Sequence, residues 1–156
     1  MGEALRRRIA QTRFEGPHHE ALLNLLVAAS HLQAGYDLVF SGHDLTRGQY
    51  NVLRILRGVH PEGCPRCEIV QRMIDRAPDV TRLIDRLESQ GLAERLASES
   101  DRRLSITRIT RKGLRLLKRI QPEVDRVEQG IGSRLSTDEA RELSRICERL
   151  YEAESP

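Results

Sequence analysis

A mainly α-helical fold with one small β-hairpin is what this sequence predicts, on three observations. Val80, Leu83, Ile84 and Leu87 recur at i, i+3, i+4 and i+7, the period of a helix that buries one face. Gly91 follows that run and can adopt the left-handed conformation that ends a helix. Beyond it, Leu92 to Leu96 and Arg103 to Ile109 are short segments of apolar and Thr residues on either side of Ala97-Ser-Glu-Ser-Asp101, the pattern of two strands joined by a turn.

The other elements follow in order. Residues 1–16 read as a polar, basic arm in which Leu5, Ile9 and Phe14 are weak anchors. From Pro17 to about Phe40 the chain is helix-like, with Leu22, Leu26, Ala29, Gln33 and Tyr36 on one stripe and Leu25, Leu32 and Val39 beside it. That stripe is broader than a surface helix on one neighbour needs, so a second subunit is expected against it. Ser41-Gly-His-Asp is a turn. Thr46-Arg-Gly-Gln49 fits a capping box, and Tyr50, Leu53, Ile55 and Leu56 are the apolar positions of the helix it opens. Gly58 and His60-Pro-Glu-Gly63 end that helix.

Pro65 suits the first turn of the next helix, where its missing N–H costs nothing, with Ile69, Val70 and Met73 as the buried face. Asp75-Arg-Ala-Pro78 breaks it, and Pro78 is expected to open the helix of the 80s. In the hairpin Leu104 and Ile106 alternate on one face while Ile109 breaks the parity, so the strand is expected to end or bulge there. Thr110 can cap a further helix whose seam is Leu117, Ile120, Val124, Val127 and Ile131, spaced as in a coiled coil; Pro122 should kink it. Ser136-Thr-Asp-Glu139 is a second capping box, before a last helix striped by Leu143, Ile146, Cys147 and Leu150.

Composition bounds the function. With 156 residues, the chain suits one domain, or a small domain plus a dimerisation element. No apolar run approaches the roughly 20 residues of a membrane span, and Arg6, Arg7 and Arg8 are not followed by a secretory apolar stretch. A cytoplasmic protein without a membrane partner is expected. From Arg72 to Arg119 there are 13 Arg or Lys against 7 Asp or Glu, a local net of +6 within a whole-chain net of +3. Charge segregated in this way points to an anionic partner, a solvated basic face being the plainer alternative.

Residues 46–111 thus form a compact module, preceded by the arm at 1–16. Residues 17–45 and 112–156 supply long apolar-striped helices with little of their own to bury against, and a two-fold homodimer would cover both ends. The order of elements is that of a winged helix-turn-helix with dimerisation helices from both termini. With Val80, Leu83, Ile84 and Leu87 buried, the opposite face carries Asp79, Thr81, Arg82, Asp85, Arg86 and Ser89. Arginine can grip guanine O6 and N7 with two hydrogen bonds, and threonine can touch a base edge or a thymine methyl. The N-terminal residues of such a helix point deepest into the major groove, so Thr81 and Arg82 are the base-contact candidates and Arg86 a phosphate or base contact. Asp79 or Asp85 can orient an arginine. In the turn, Asp101 beside Arg102 and Arg103 can hold one arginine for a narrow minor groove, where negative potential is enhanced; Arg103 is the choice for insertion and Arg102 for phosphate.

Four runs carry a resemblance: Leu45-Thr-Arg-Gly-Gln-Tyr-Asn-Val-Leu, Val80-Thr-Arg-Leu-Ile-Asp-Arg-Leu-Glu-Ser-Gln-Gly-Leu, Asp101-Arg-Arg and Ile109-Thr-Arg-Lys-Gly113. In this order, over about residues 20 to 150, the chain resembles the multiple-antibiotic-resistance regulator (MarR) family. The resemblance implies a homodimeric winged-helix transcription factor, usually a repressor, on double-stranded DNA with a pseudo-palindromic operator. It also implies release by a small phenolic or other aromatic acid bound between the dimerisation helices and the DNA-binding module, or, in other members, a response to cysteine oxidation. The family's Asp-any-Arg wing maps onto Asp101 and Arg103, and its Thr-Arg pair onto Thr81 and Arg82. Where many members have a Ser-Pro-Ser cap, this chain has Arg76-Ala-Pro-Asp79.

Cys64-Pro-Arg-Cys67 is a C-x-x-C with His60 four residues earlier. Its readings are zinc ligation by His60, Cys64 and Cys67, a redox pair with a depressed pKa at a helix N-terminus, and plain packing, which is the simplest. No metal or cofactor is assigned. An enzyme is the competing class, but no Gly-rich phosphate loop, nucleophile elbow or metal-spaced His and carboxylate pair is present. A winged helix used only for protein contacts would leave the outward Arg82, Arg86, Arg102 and Arg103 without a purpose.

Overall fold

In a computed structural model that describes residues 2–11, 13–75, 79–97 and 105–152, helices α1 (Glu3–Ile9), α2 (Pro17–Ser41) and α3 (Arg47–Gly58) come first. Strand β1 (Cys64–Pro65) and helices α4 (Arg66–Arg72) and α5 (Val80–Ser89) follow. Strands β2 (Ala93–Ala97) and β3 (Ser105–Ile109) then precede helices α6 (Arg111–Gly132) and α7 (Thr137–Glu152). The architecture is mainly α with a small wing sheet. It divides into two compact units, one of Met1–Leu32 with Glu123–Pro156 and one of Gln33–Pro122.

The second unit holds α3, α4, α5 and the sheet. Thr46 starts α3 with both halves of the capping box: its hydroxyl accepts the Gln49 N–H at 3.3 Å, and Gln49 Oε1 accepts the Thr46 N–H at 2.9 Å. Val52, Leu53 and Leu56 of α3, Ile69 of α4 and Ile84 and Leu87 of α5 are fully buried in this unit. Each such side chain contributes roughly 1.5–3 kcal/mol of burial free energy. Phe40 stacks on Tyr50 with ring centroids 4.2 Å apart, closing the turn between α2 and α3.

The sheet has three antiparallel strands in the order β1-β3-β2. A two-residue strand has no period to betray it, and β1 was not expected. Its Cys64 pairs with Thr107 and its Pro65 with Ile106, so Pro65, lacking an N–H, takes the edge position open to it. Pro65 is also the N-cap of α4 rather than part of its first turn. Within α4 the short helix buries only Ile69, with Met73 buried just past its end, and Val70 is exposed.

The face of β3 differs from the expected one. Thr107 and Ile109 point inward and are buried, Ile106 is only partly covered, and Ile109 stays in register opposite Ala93. Ile109 therefore sets the parity and polar Thr107 shares its face, whereas the visible apolar alternation suggested the reverse. Leu104 lies outside the described residues.

Thr110 caps α6 by accepting the Gly113 N–H at 3.1 Å, and it donates to the Gly91 carbonyl at 2.7 Å. Pro122 stands inside α6, which continues to Gly132. In the first unit, residues 3–9 form a helix where an arm was expected, with Leu5 buried. Helix α7 buries none of its residues, and Leu143, Ile146 and Leu150 of its stripe are exposed. No helix among the described residues is long and apolar enough to cross a membrane.

The start of α7 carries a pH prediction. Glu139 accepts the Ser136 N–H and hydroxyl, both at 2.8 Å, and the backbone bond first, then the hydroxyl, holds its carboxyl below the ordinary 4.5. A carboxylate depressed in the folded state contributes fully above the ordinary value, and the contribution is lost as pH falls through the depressed one. The difference in helix content between the wild type and Glu139→Ala, followed by circular dichroism, is expected to shrink in acid below 4.5. A difference that stays constant down to about pH 3 would count against the cap.

Candidate nucleic-acid interface

Asp79 opens α5. Its Oδ1 accepts the Arg82 N–H at 3.2 Å, and its Oδ2 lies 3.5 Å from Arg82 Nε. One carboxylate thus satisfies a free N–H at the helix start and restrains the arginine one turn on. Asp79 supplies the cap; Arg76, Ala77 and Pro78 lie outside the described residues.

Val80, Ile84 and Leu87 are buried, and Leu83 is partly covered. The chain comes close to α3 here: a Cβ on Gly48 would stand 3.0 Å from Leu83 Cδ1. Thr81, Arg82, Asp85, Arg86 and Ser89 are exposed, and the Arg82 side chain is 82% exposed. The structure therefore brings Asp79, Thr81, Arg82 and Arg86 onto one helix and leaves the last three pointing outward. Asp101, Arg102 and Arg103 lie outside the described residues.

Asp85 does orient an arginine, but one in the sheet. Arg95 of β2 reaches back so that Nη2 is 2.7 Å from Asp85 Oδ1 and Nη1 is 2.6 Å from Glu88 Oε2. The Arg95 N–H also donates to Glu88 Oε1 at 2.9 Å. Sequence reasoning missed Arg95 because a helix-to-strand pair has no periodic spacing to announce it. The far end of α5 is tied as well. Gln90 Nε2 donates to the Asp44 carbonyl at 2.9 Å, and Lys112 Nζ donates to the Gln90 carbonyl at 2.7 Å. Beside these bonds is an open cleft of about 500 Å³, with Leu92 and Leu116 among its apolar lining and Lys112, Arg115 and Arg119 among its cations.

The two cysteines of the C-x-x-C stand in different surroundings. Cys64 is buried in β1, ahead of the helix, and Cys67 is exposed; both are free. Burial pushes the Cys64 thiol up, with Glu68 and then Cys67 adding to it and Arg72 opposing, so the depressed pKa expected at a helix start is not found there. Among the described residues no three His, Cys, Asp or Glu side chains converge as a metal site, and His60, Cys64 and Cys67 are no exception.

Comparisons with known proteins bear on the family and the fold. The MarR family model matches residues 45–105. A MarR transcription factor of Planctomyces limnophilus has a crystal structure that is 39% identical, with a TM-score of 0.68, over 87% of this chain and 98% of that one. The homoprotocatechuate degradative operon repressor of Escherichia coli is 23% identical over 133 residues, 85% of this chain and 88% of its own length. The S. aureus MepR–DNA complex shares the fold, with a TM-score of 0.74 at 23% identity over 83% of this chain and 96% of that one. The chain belongs to the MarR family of transcriptional regulators.

Proposed function

We propose that the chain is a homodimeric, sequence-specific DNA-binding repressor that acts in the cytoplasm and is released from its operator by a small aromatic or phenolic acid. The observation that carries the reading is the outward face of α5, where Thr81, Arg82 and Arg86 are exposed opposite buried Val80, Ile84 and Leu87. Thr81 and Arg82, near the helix start, are the base contacts, and Arg86 takes phosphate or base. Asp79 acts on DNA through Arg82, whose Nε it restrains. Asp101 is assigned to aim Arg103 into the minor groove, with Arg102 on phosphate. The exposed Leu143, Ile146 and Leu150 of α7 support a second subunit. The dimer sets two recognition helices about one DNA turn, roughly 34 Å, apart, and a change in that spacing is how an effector would act. The cleft, lined by apolar Leu92 and Leu116 and by three cations, Lys112, Arg115 and Arg119, against one acid, Asp44, suits an aromatic body with a carboxylate. The E. coli relative is named as the repressor of an operon that degrades such an acid.

A mobility-shift titration of the chain on the DNA upstream of its own gene, with and without aromatic acids, tests this. A salt-sensitive shift reversed by one of the acids is expected, together with a dimer in sedimentation. A chain that shifts no genomic fragment would be a protein-contact module instead. Arg82→Ala is expected to cost roughly 1–3 kcal/mol of binding and to relax preference at one base pair. A uniform loss across all sequences would make Arg82 a phosphate contact.

A further inference from the structure

We propose that Arg95 is a positioning residue: by bridging Asp85 and Glu88 it locks the β2–β3 hairpin onto α5, so that DNA meets the two as one rigid surface. The proposal rests on the DNA-binding reading above. Three bonds from one arginine run to two acids on successive turns of the helix: Asp85 at 2.7 Å, Glu88 at 2.6 Å, and the Arg95 backbone N–H to Glu88 at 2.9 Å. The planar guanidinium fork suits such a double hold better than a lysine would. The side chains of Arg95 and Glu88 are 32% and 28% exposed and that of Asp85 is 53% exposed, so the Glu88 half of this three-residue network is partly shielded and the Asp85 half is open to solvent.

Apolar packing does little of this work. Of β2 only Ala93 is buried, and Glu94 to Ala97 are all exposed. Beyond Ala93, it is the polar bridge that ties the strand to the helix, and β2 leads straight into the stretch with Asp101, Arg102 and Arg103.

Charge gives the second argument. Helix α5 with its cap carries three acids, Asp79, Asp85 and Glu88, against Arg82 and Arg86, which is a poor balance for a surface meeting phosphates. Asp85 and Glu88 are tolerable there because Arg95 occupies both. The bridge therefore spends two acids on geometry at a place where acids would otherwise repel the ligand.

This makes the test a matter of sign. Asp85→Asn with Glu88→Gln removes two negative charges beside a polyanion, so electrostatics alone predicts tighter binding. The clamp predicts weaker binding, by about tenfold, to the duplex that the wild-type chain selects from a random pool. Arg95→Ala should weaken binding similarly, and adding it to the double variant should change little more, because all three side chains act as one unit. Equal or tighter binding by the double variant overturns the proposal, as does a further large loss on adding Arg95→Ala, which would make Arg95 a direct DNA contact. Should the double variant fail to fold, Arg95→Lys keeps the charge without the fork; weakened binding at unaltered helix content is expected, and wild-type affinity overturns the clamp. Amide exchange across residues 93–97 separates this proposal from the one beneath it. If the wild type selects no duplex, the DNA-binding reading fails, whereas unchanged protection of those amides in the double variant sinks the clamp by itself.

Discussion

Ile84→Ala is expected to destabilise the second unit by roughly 2–5 kcal/mol, the cost of losing buried methyl and methylene groups and leaving a cavity. Ile84 is fully buried at the middle of α5, the helix that packs on α3, α4 and β2. A domain of this size has only about 5–15 kcal/mol of stability in hand, so the midpoint of urea unfolding should move far. DNA binding should fail together with the fold rather than before it. Ile84→Val, which removes one methylene, should cost only about 0.5–1.5 kcal/mol. An alanine variant within 1 kcal/mol or so of the wild type would mean that the site collapses readily, and α5 would then be held by its polar ties to β2 and Asp44.

Gly113→Ala is expected to destabilise by about 1–3 kcal/mol, the range for overpacking a tight site. The sign is what makes it informative. Inside an ordinary helix, glycine to alanine is favourable by roughly 0.5–1 kcal/mol. Here an added Cβ would collide with the Leu92 carbonyl oxygen and lie 2.7 Å from Ile109 Cγ1, and a backbone oxygen cannot swing aside as a side-chain end can. The junction has nowhere to yield: Thr110 N donates to that same Leu92 oxygen at 3.0 Å, and Thr110 Oγ1 to the Gly91 carbonyl at 2.7 Å. Relief would have to come from moving α6 off the sheet. Thermal melting checks the sign, with a fall of roughly 2–4 °C for each kcal/mol; a rise in melting temperature would show that the close approach is not required.

Gly113 also illustrates what was legible. Ile109-Thr-Arg-Lys-Gly113 carries part of the family resemblance, and Thr110 is a cap by sequence and in the structure. The reason for glycine appears only when Leu92 and Ile109 come up against it. Likewise Asp79 could be assigned to orient an arginine, because an acid at a helix start and an Arg three residues on are neighbours by helical geometry alone. Asp85 carried the same suggestion, but its partner Arg95 comes from a different element. The exposed face of Thr81, Arg82 and Arg86 was readable from the apolar positions that oppose it.

The sequence by itself determined the longer helices and several of their ends: the capping boxes at Thr46 and Ser136, the stop at Gly91, and the period from Val80 to Leu87. These depend on residues three or four apart, and the identities of such neighbours are enough to satisfy or break a helix end. The tertiary structure alone decided which side of β3 faces inward, that Cys64 and Pro65 form a third strand, that Cys64 is buried while Cys67 is exposed, and that Arg95 binds the helix before it. Each of these depends on which segment comes to lie beside which, and a strand's partner and buried face are chosen by packing and hydrogen-bond register rather than by any local period.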